Sequence, residues 1–169
     1  GPVRRELGVK TFFNMLGPMV NPAFPKSQVV GVFSLELARL YGYLYQNTDK
    51  RFAIVHSLDG YDEISLTGDF KLITNENEQV FSPSDLGFET LTESSLAGGE
   101  DIPASADILL NILNDKSTHA QKAAVLVNAG LAISVGKGIS FDEGIEQART
   151  SIESGAAYSA FEKFKGINK

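Results

Sequence analysis

The chain has no cysteine, which removes disulfides, thiolate metal ligands and cysteine nucleophiles together and fits a reducing cytosol. Histidine is nearly as scarce, with 2 residues, and neither a His-rich zinc spacing nor a Ser-His-Asp arrangement can be found. Glycine patterns of the Walker or dinucleotide type are missing as well, so the residues show no ready phosphate cradle. Basic charge is in deficit: 15 Lys and Arg against 21 Asp and Glu leave a net charge of -6. No stretch concentrates enough cations to overcome it, which argues against a nucleic-acid partner. No apolar run approaches the ~18 residues of a membrane helix. GPVRRELG has no apolar stretch after its charges of the kind a secretory signal carries. The expectation is a cytoplasmic protein with no membrane contact.

What is present suits one folded domain. With 169 residues, 43% of them hydrophobic and 21% charged, the chain can bury a sizeable core. Residues 3–18 read as one or two short helices, broken at Gly8 and ended by Gly17-Pro18. KSQVVGVF, residues 26–33, suits a strand. Ser34 can cap the helix LELARLYGYLYQN, and FAIVHS, residues 52–57, is a continuous apolar run typical of a strand buried on both faces. Strand, helix and strand within about 30 residues make a βαβ unit with parallel pairing. Residues 63–82 then read as short strands, EISLTG, FKLIT and QVFS, in hairpin style.

From Pro103 onward the pattern is helical. Thr118 with Gln121 and Ser140 with Glu143 fit capping boxes. AQKAAVLVNAGLAISVG is apolar on most sides, so it should lie between neighbours, and its polar exception is Asn128. FDEGIEQARTSIES and AAYSAFEKFKG are amphipathic and close the fold.

In parallel α/β sheets, ligands gather beyond the carboxyl ends of strands. SLDGYDEIS follows FAIVHS at such an end and places Asp59, Asp62 and Glu63 within five residues. These carboxylates could offer hard oxygen ligands to Mg²⁺. Equally, Asp59-Gly60 could be an ordinary turn followed by solvated acids. His56 at the strand end reads as a structural residue and His119 as a surface one. Arg4 and Arg5 either form a solvated helix face or offer a fork for an anion. In LAGGED, residues 96–101, Glu100 and Asp101 would repel a phosphate from the following helix start.

VRRELGVKTFFNMLGPMVNPA, VHSLDGYDEIS, LAGGED, the NAGLAI helix around Asn128 and IESGAA together resemble the anthranilate phosphoribosyltransferases, over essentially the whole chain. That resemblance implies an α/β fold shared with the pyrimidine nucleoside phosphorylases: a mostly parallel sheet flanked by helices, beside a small helical domain. It implies a division into residues 1–20, a helical segment of the small domain or its junction, and residues 21–169, the C-terminal part of the α/β domain. The activity implied is Mg²⁺-dependent transfer of phosphoribosyl from phosphoribosyl diphosphate to anthranilate, in tryptophan synthesis. Arg4 would meet the anthranilate carboxylate, Gly17 and Pro18 would line its channel, and Asp62 and Glu63 would bind the second Mg²⁺. Tyr61 stands where the family commonly has leucine. For Asn14, our own expectation is that it satisfies backbone groups at a helix end.

The family's glycine-rich phosphoribosyl diphosphate loop is not in this chain. The resemblance therefore implies roughly the C-terminal half of an enzyme, inactive alone, whose full-length form is a homodimer. A nucleoside phosphorylase or a non-catalytic nucleic-acid-binding relative of the fold is the alternative.

Overall fold

The computed structural model describes residues 17–167; Arg4, Asn14 and the helices expected over 3–16 lie outside the described residues. Gly17–Val20 form a 3₁₀ turn, which Gly17 and Pro18 open. Strand β1, Ser27–Gly31, leads to helix α1, Leu35–Tyr45, whose N-terminus is capped by Ser34: its Oγ accepts from the Leu37 amide at 3.2 Å. Strand β2, Arg51–Ser57, returns parallel to β1, with Ser27 opposite Arg51 and Gly31 opposite Val55. The βαβ unit read from the sequence is present.

Strands β3, Phe70–Thr74, and β4, Glu78–Phe81, complete a sheet of order β1-β2-β3-β4. Both of their pairings, β2 with β3 and β3 with β4, are antiparallel. The class is α/β, but the described sheet is mixed: parallel pairing is confined to β1 and β2. The loop of residues 58–69 after β2 contains no helix and closes on itself, with the Leu58 amide donating to the Asp69 carbonyl at 2.8 Å, so β3 returns beside β2 antiparallel; a tight turn over residues 75–77 does the same for β4.

EISLTG is not a strand. Leu66 has φ 59°, outside any strand conformation. The Ile64 and Ser65 amides bond to side chains, those of Asn128 and Ser57, instead of to a neighbouring strand.

Alternation along β2 explains its unbroken apolar run. Phe52 and Ile54 join Val30, Leu37, Tyr41, Tyr45 and Ile73 in a core beneath α1. Ala53 and Val55 point the other way, into a core with Ile64, Leu66, Phe70 and Leu72. That second face is covered by helix α3, His119–Lys137, through Ala123, Val127 and Leu131. Successive side chains of a strand leave opposite faces, so a central strand covered on both sides is apolar throughout.

Helix α2, Ile102–Leu113, precedes α3, and Asp101 caps it, with its Oδ1 accepting from the Ala104 amide at 2.8 Å. The acid expected to repel a phosphate there occupies the helix end itself. Both capping boxes are formed, at Thr118 for α3 and at Ser140 for helix α4, Phe141–Glu153. Helix α5, Ala156–Ile167, follows. Between α3 and α4 the backbones touch: a methyl group on Gly144 would overlap the Gly130 carbonyl oxygen.

Two outcomes follow for stability. Gly144→Ala in the full-length protein should cost about 1–3 kcal/mol in a urea titration, because the helices cannot separate cheaply. The Ser140 hydroxyl and amide hold the Glu143 carboxyl below its ordinary range, so its contribution is complete above the unfolded value and lost as pH falls through the lower folded one. Glu143→Gln should therefore flatten the fall in stability between about pH 5 and pH 3, read from urea midpoints across that range.

Candidate functional site

The carboxyl end of β2 is fastened before it reaches the acids. The His56 ring is buried, and its Nδ1 lies 2.8 Å from the Val32 carbonyl oxygen. A carbonyl only accepts, so Nδ1 carries the proton. This is the structural histidine the sequence suggested. Ser57 is fully buried and bonds outward through every polar atom. Its amide donates to the Tyr61 carbonyl at 3.0 Å, and its carbonyl accepts from the Gly60 amide at 2.9 Å. Its hydroxyl donates to the Glu63 carbonyl and accepts from the Ser65 amide at 3.3 Å.

The three acids separate into two kinds. Asp59 is a brace: its Oδ2 accepts from the Ser65 hydroxyl at 3.1 Å and from the Thr67 hydroxyl. Gly60, at φ 106°, completes the turn beside it, in a conformation that favours glycine. For Asp59 the turn reading was right. Asp62 and Glu63 are exposed, and among the described residues neither carboxylate has a hydrogen-bond or ion-pair partner.

The described residues hold no cluster of three or more acidic or histidine side chains that could close around a metal. The arrangement offers two carboxylates on an open face. That suits a hard cation such as Mg²⁺, which keeps waters and takes its remaining oxygens from a phosphate-bearing substrate. A cleft of about 600 Å³ opens beside Glu63, lined among others by Tyr61, Leu96, Ile108, Ile112 and Asn128.

Of the other expected site residues, the structure describes the turn that Gly17 and Pro18 open. Met19, in the turn that Gly17 and Pro18 open, packs on the core beneath α1. Ile64 and Leu66 anchor the acidic loop in the core on the opposite face. Gly17 is exposed, and a side chain there would meet nothing within 4 Å. Arg4 lies outside the described residues. His119 is exposed at the start of α3, as expected.

Sequence reasoning missed the fastening of the loop. Ser57, Ser65 and Thr67 tie it from within. Asn128 holds Ile64 from α3, with its Oδ1 accepting from the Ile64 amide at 3.0 Å and its Nδ2 donating to the Ile64 carbonyl at 2.9 Å. The available signal was a carboxamide in an otherwise apolar helix.

Comparisons with known proteins agree over nearly the whole chain. The family model for the glycosyl transferase family, a/b domain, matches residues 1–158. An anthranilate phosphoribosyltransferase of Christiangramia forsetii is 56% identical over 169 residues, covering 100% of this chain and 51% of the relative. That of Flavobacterium johnsoniae is 52% identical over 168 residues, covering 99% of this chain and 51% of the relative. Among solved structures, the anthranilate phosphoribosyltransferase of Thermus thermophilus superposes with a TM-score of 0.88 at 31% identity, covering 97% of this chain and 50% of that one. The Saccharomyces cerevisiae enzyme in complex with PRPP and Mg superposes with a TM-score of 0.86 at 28% identity, covering 96% of this chain and 47% of that one. The chain spans about half the length of the curated relatives it matches.

The division between brace and free acid can be checked by stability alone. Asp59→Ala should cost about 1–2 kcal/mol, since it leaves the buried Ser65 hydroxyl without its carboxylate acceptor. Asp62→Asn and Glu63→Gln should stay within about 0.5 kcal/mol of the parent, and urea unfolding of the full-length protein measures all three.

Proposed function

This chain belongs to the glycosyl transferase family, in its a/b domain, and on that footing we propose that it is the C-terminal part of an anthranilate phosphoribosyltransferase. The reaction is transfer of phosphoribosyl from phosphoribosyl diphosphate to anthranilate. The observation that carries the proposal is the Asp62–Glu63 pair: two exposed carboxylates without partners among the described residues, on a loop tied down by Ser57 and Asp59, at the carboxyl end of a parallel strand.

These two residues would hold Mg²⁺. When bound, the ion neutralises negative charge that builds on the departing diphosphate. The carboxylates supply charge at a fixed place, and electrostatic placement of that kind is the greatest help a protein can give such a transfer. Ser57 and Asp59 keep the loop from rearranging when a multiply charged substrate arrives. Anthranilate carries its own amine nucleophile, so this chain need supply no strong base, and positioning matters more. His56, with its Nδ1 committed to Val32, belongs to the scaffold.

Arg4 is assigned to the anthranilate carboxylate, where a planar guanidinium can form two parallel bonds. Gly17 and Pro18 are assigned to the channel that admits anthranilate. Residues 1–20 are assigned to the small helical domain or its junction, and 21–169 to the α/β domain. A cytoplasmic location, a homodimer and the absence of nucleic-acid and membrane partners belong to the same proposal, supported by likeness to the family and by the acidic charge balance.

The test follows the loss of anthranilate fluorescence in the full-length protein supplied with phosphoribosyl diphosphate and Mg²⁺. Turnover should occur and should fall at least about tenfold in Asp62→Asn. A parent without turnover would remove the proposed reaction; equal turnover in the variant would remove the metal role of the pair.

A further inference from the structure

We propose that Asn128 is a positioning residue for the acidic pair, holding from α3 the backbone on which Asp62 and Glu63 are presented; this inference rests on the metal-binding reading above. The carboxamide is engaged on both ends. Oδ1 accepts from the Ile64 amide at 3.0 Å, while Nδ2 donates to the carbonyls of Ile64 and Ala124, each at 2.9 Å. Turning the amide over would set NH₂ against N–H and oxygen against two carbonyls. One orientation works.

A polar residue in an apolar helix can satisfy itself on its own helix, and the Ala124 carbonyl offers that. The paired bonds to Ile64 are additional. When both backbone groups of one residue go to one side chain, that residue can neither slide nor rotate without losing both. The Ile64 side chain is 1% exposed and packed in the core against α3, which supplies a third fixed point. Glu63 is the adjacent residue, and its carbonyl is tied to the Ser57 hydroxyl.

The opposite side of the loop is just as closely limited. Gly31 ends β1, and a methyl group there would overlap the Asp62 carbonyl oxygen. The acidic pair is thus gripped between β1 and α3. Two acids whose backbone is held this way present their carboxylates from a fixed place, and loss of such supporting contacts typically weakens metal affinity by about 10- to 100-fold.

The experiment uses the full-length protein and Mn²⁺ alone as the probe, titrated by water-proton relaxation, together with backbone amide hydrogen exchange in the metal-free state. In Asn128→Leu, exchange at Ile64 and Ser65 should accelerate, and half-saturation should need about tenfold more Mn²⁺. Gly31→Ala disturbs the same loop without touching α3, so it gives an independent reading if Asn128→Leu folds poorly, and it should weaken Mn²⁺ binding likewise. Unchanged exchange at Ile64 overturns the inference, and so does unchanged Mn²⁺ binding in a folded Asn128→Leu. Asp62→Asn separates the two ideas: if that control binds Mn²⁺ as tightly as the parent, the metal reading of the pair falls, while the exchange comparison still decides whether Asn128 holds the loop.

Discussion

A hydroxyl with no access to water must find its partners inside the protein, and Ser57 is such a hydroxyl at the last position of β2. Its bonds to Glu63 and Ser65, with its backbone bonds to Gly60 and Tyr61, fold the following residues back over the strand end. The acidic turn is therefore a continuation of the core. Asp59, itself exposed, is bonded to the Ser65 and Thr67 hydroxyls by the same folding, and Asp62 and Glu63 are left exposed with no partner among the described residues. Exposed charge on a loop fastened from below is the basis of the metal role proposed for the pair.

Around that end the packing is layered in a way that leaves little freedom. β2 is central and covered on both faces, by α1 through the Tyr41–Tyr45 side and by α3 through Ala123 and Val127. α3 is itself pressed against α4 where Gly130 and Gly144 meet. A displacement of α4 would move α3, and α3 carries Asn128. Stability of the helical layer and placement of the acids are thus linked by contact, through small residues that allow close approach.

Much of this was legible in the chain. The βαβ unit followed from the apolar run FAIVHS and a capped helix before it. The two capping boxes marked the starts of α3 and α4, because a cap is written in residues three apart and needs no tertiary partner. The motif VHSLDGYDEIS located the acidic loop. EISLTG was misread as a strand because its alternation is real, yet its backbone groups are claimed by Asn128 and Ser57, which periodicity does not show. The sheet proved mixed because the acidic loop over residues 58–69 closes on itself without a helix and the turn over 75–77 is tight, so β3 and β4 each return antiparallel.

The sequence by itself determined the α/β class, the helix starts, the acidic balance and the place of the carboxylates, since each depends on residues close together in the chain. Only the tertiary structure decided which acid is a brace and which are free. Asp59, Asp62 and Glu63 are chemically alike and lie within five positions. What distinguishes them is the reach of hydroxyls at 65 and 67, a carboxamide 64 residues away and the absent side chain of Gly31. Contacts of that kind exist only once the chain has closed on itself, because their free energy comes from desolvated partners that the sheet and α3 bring together.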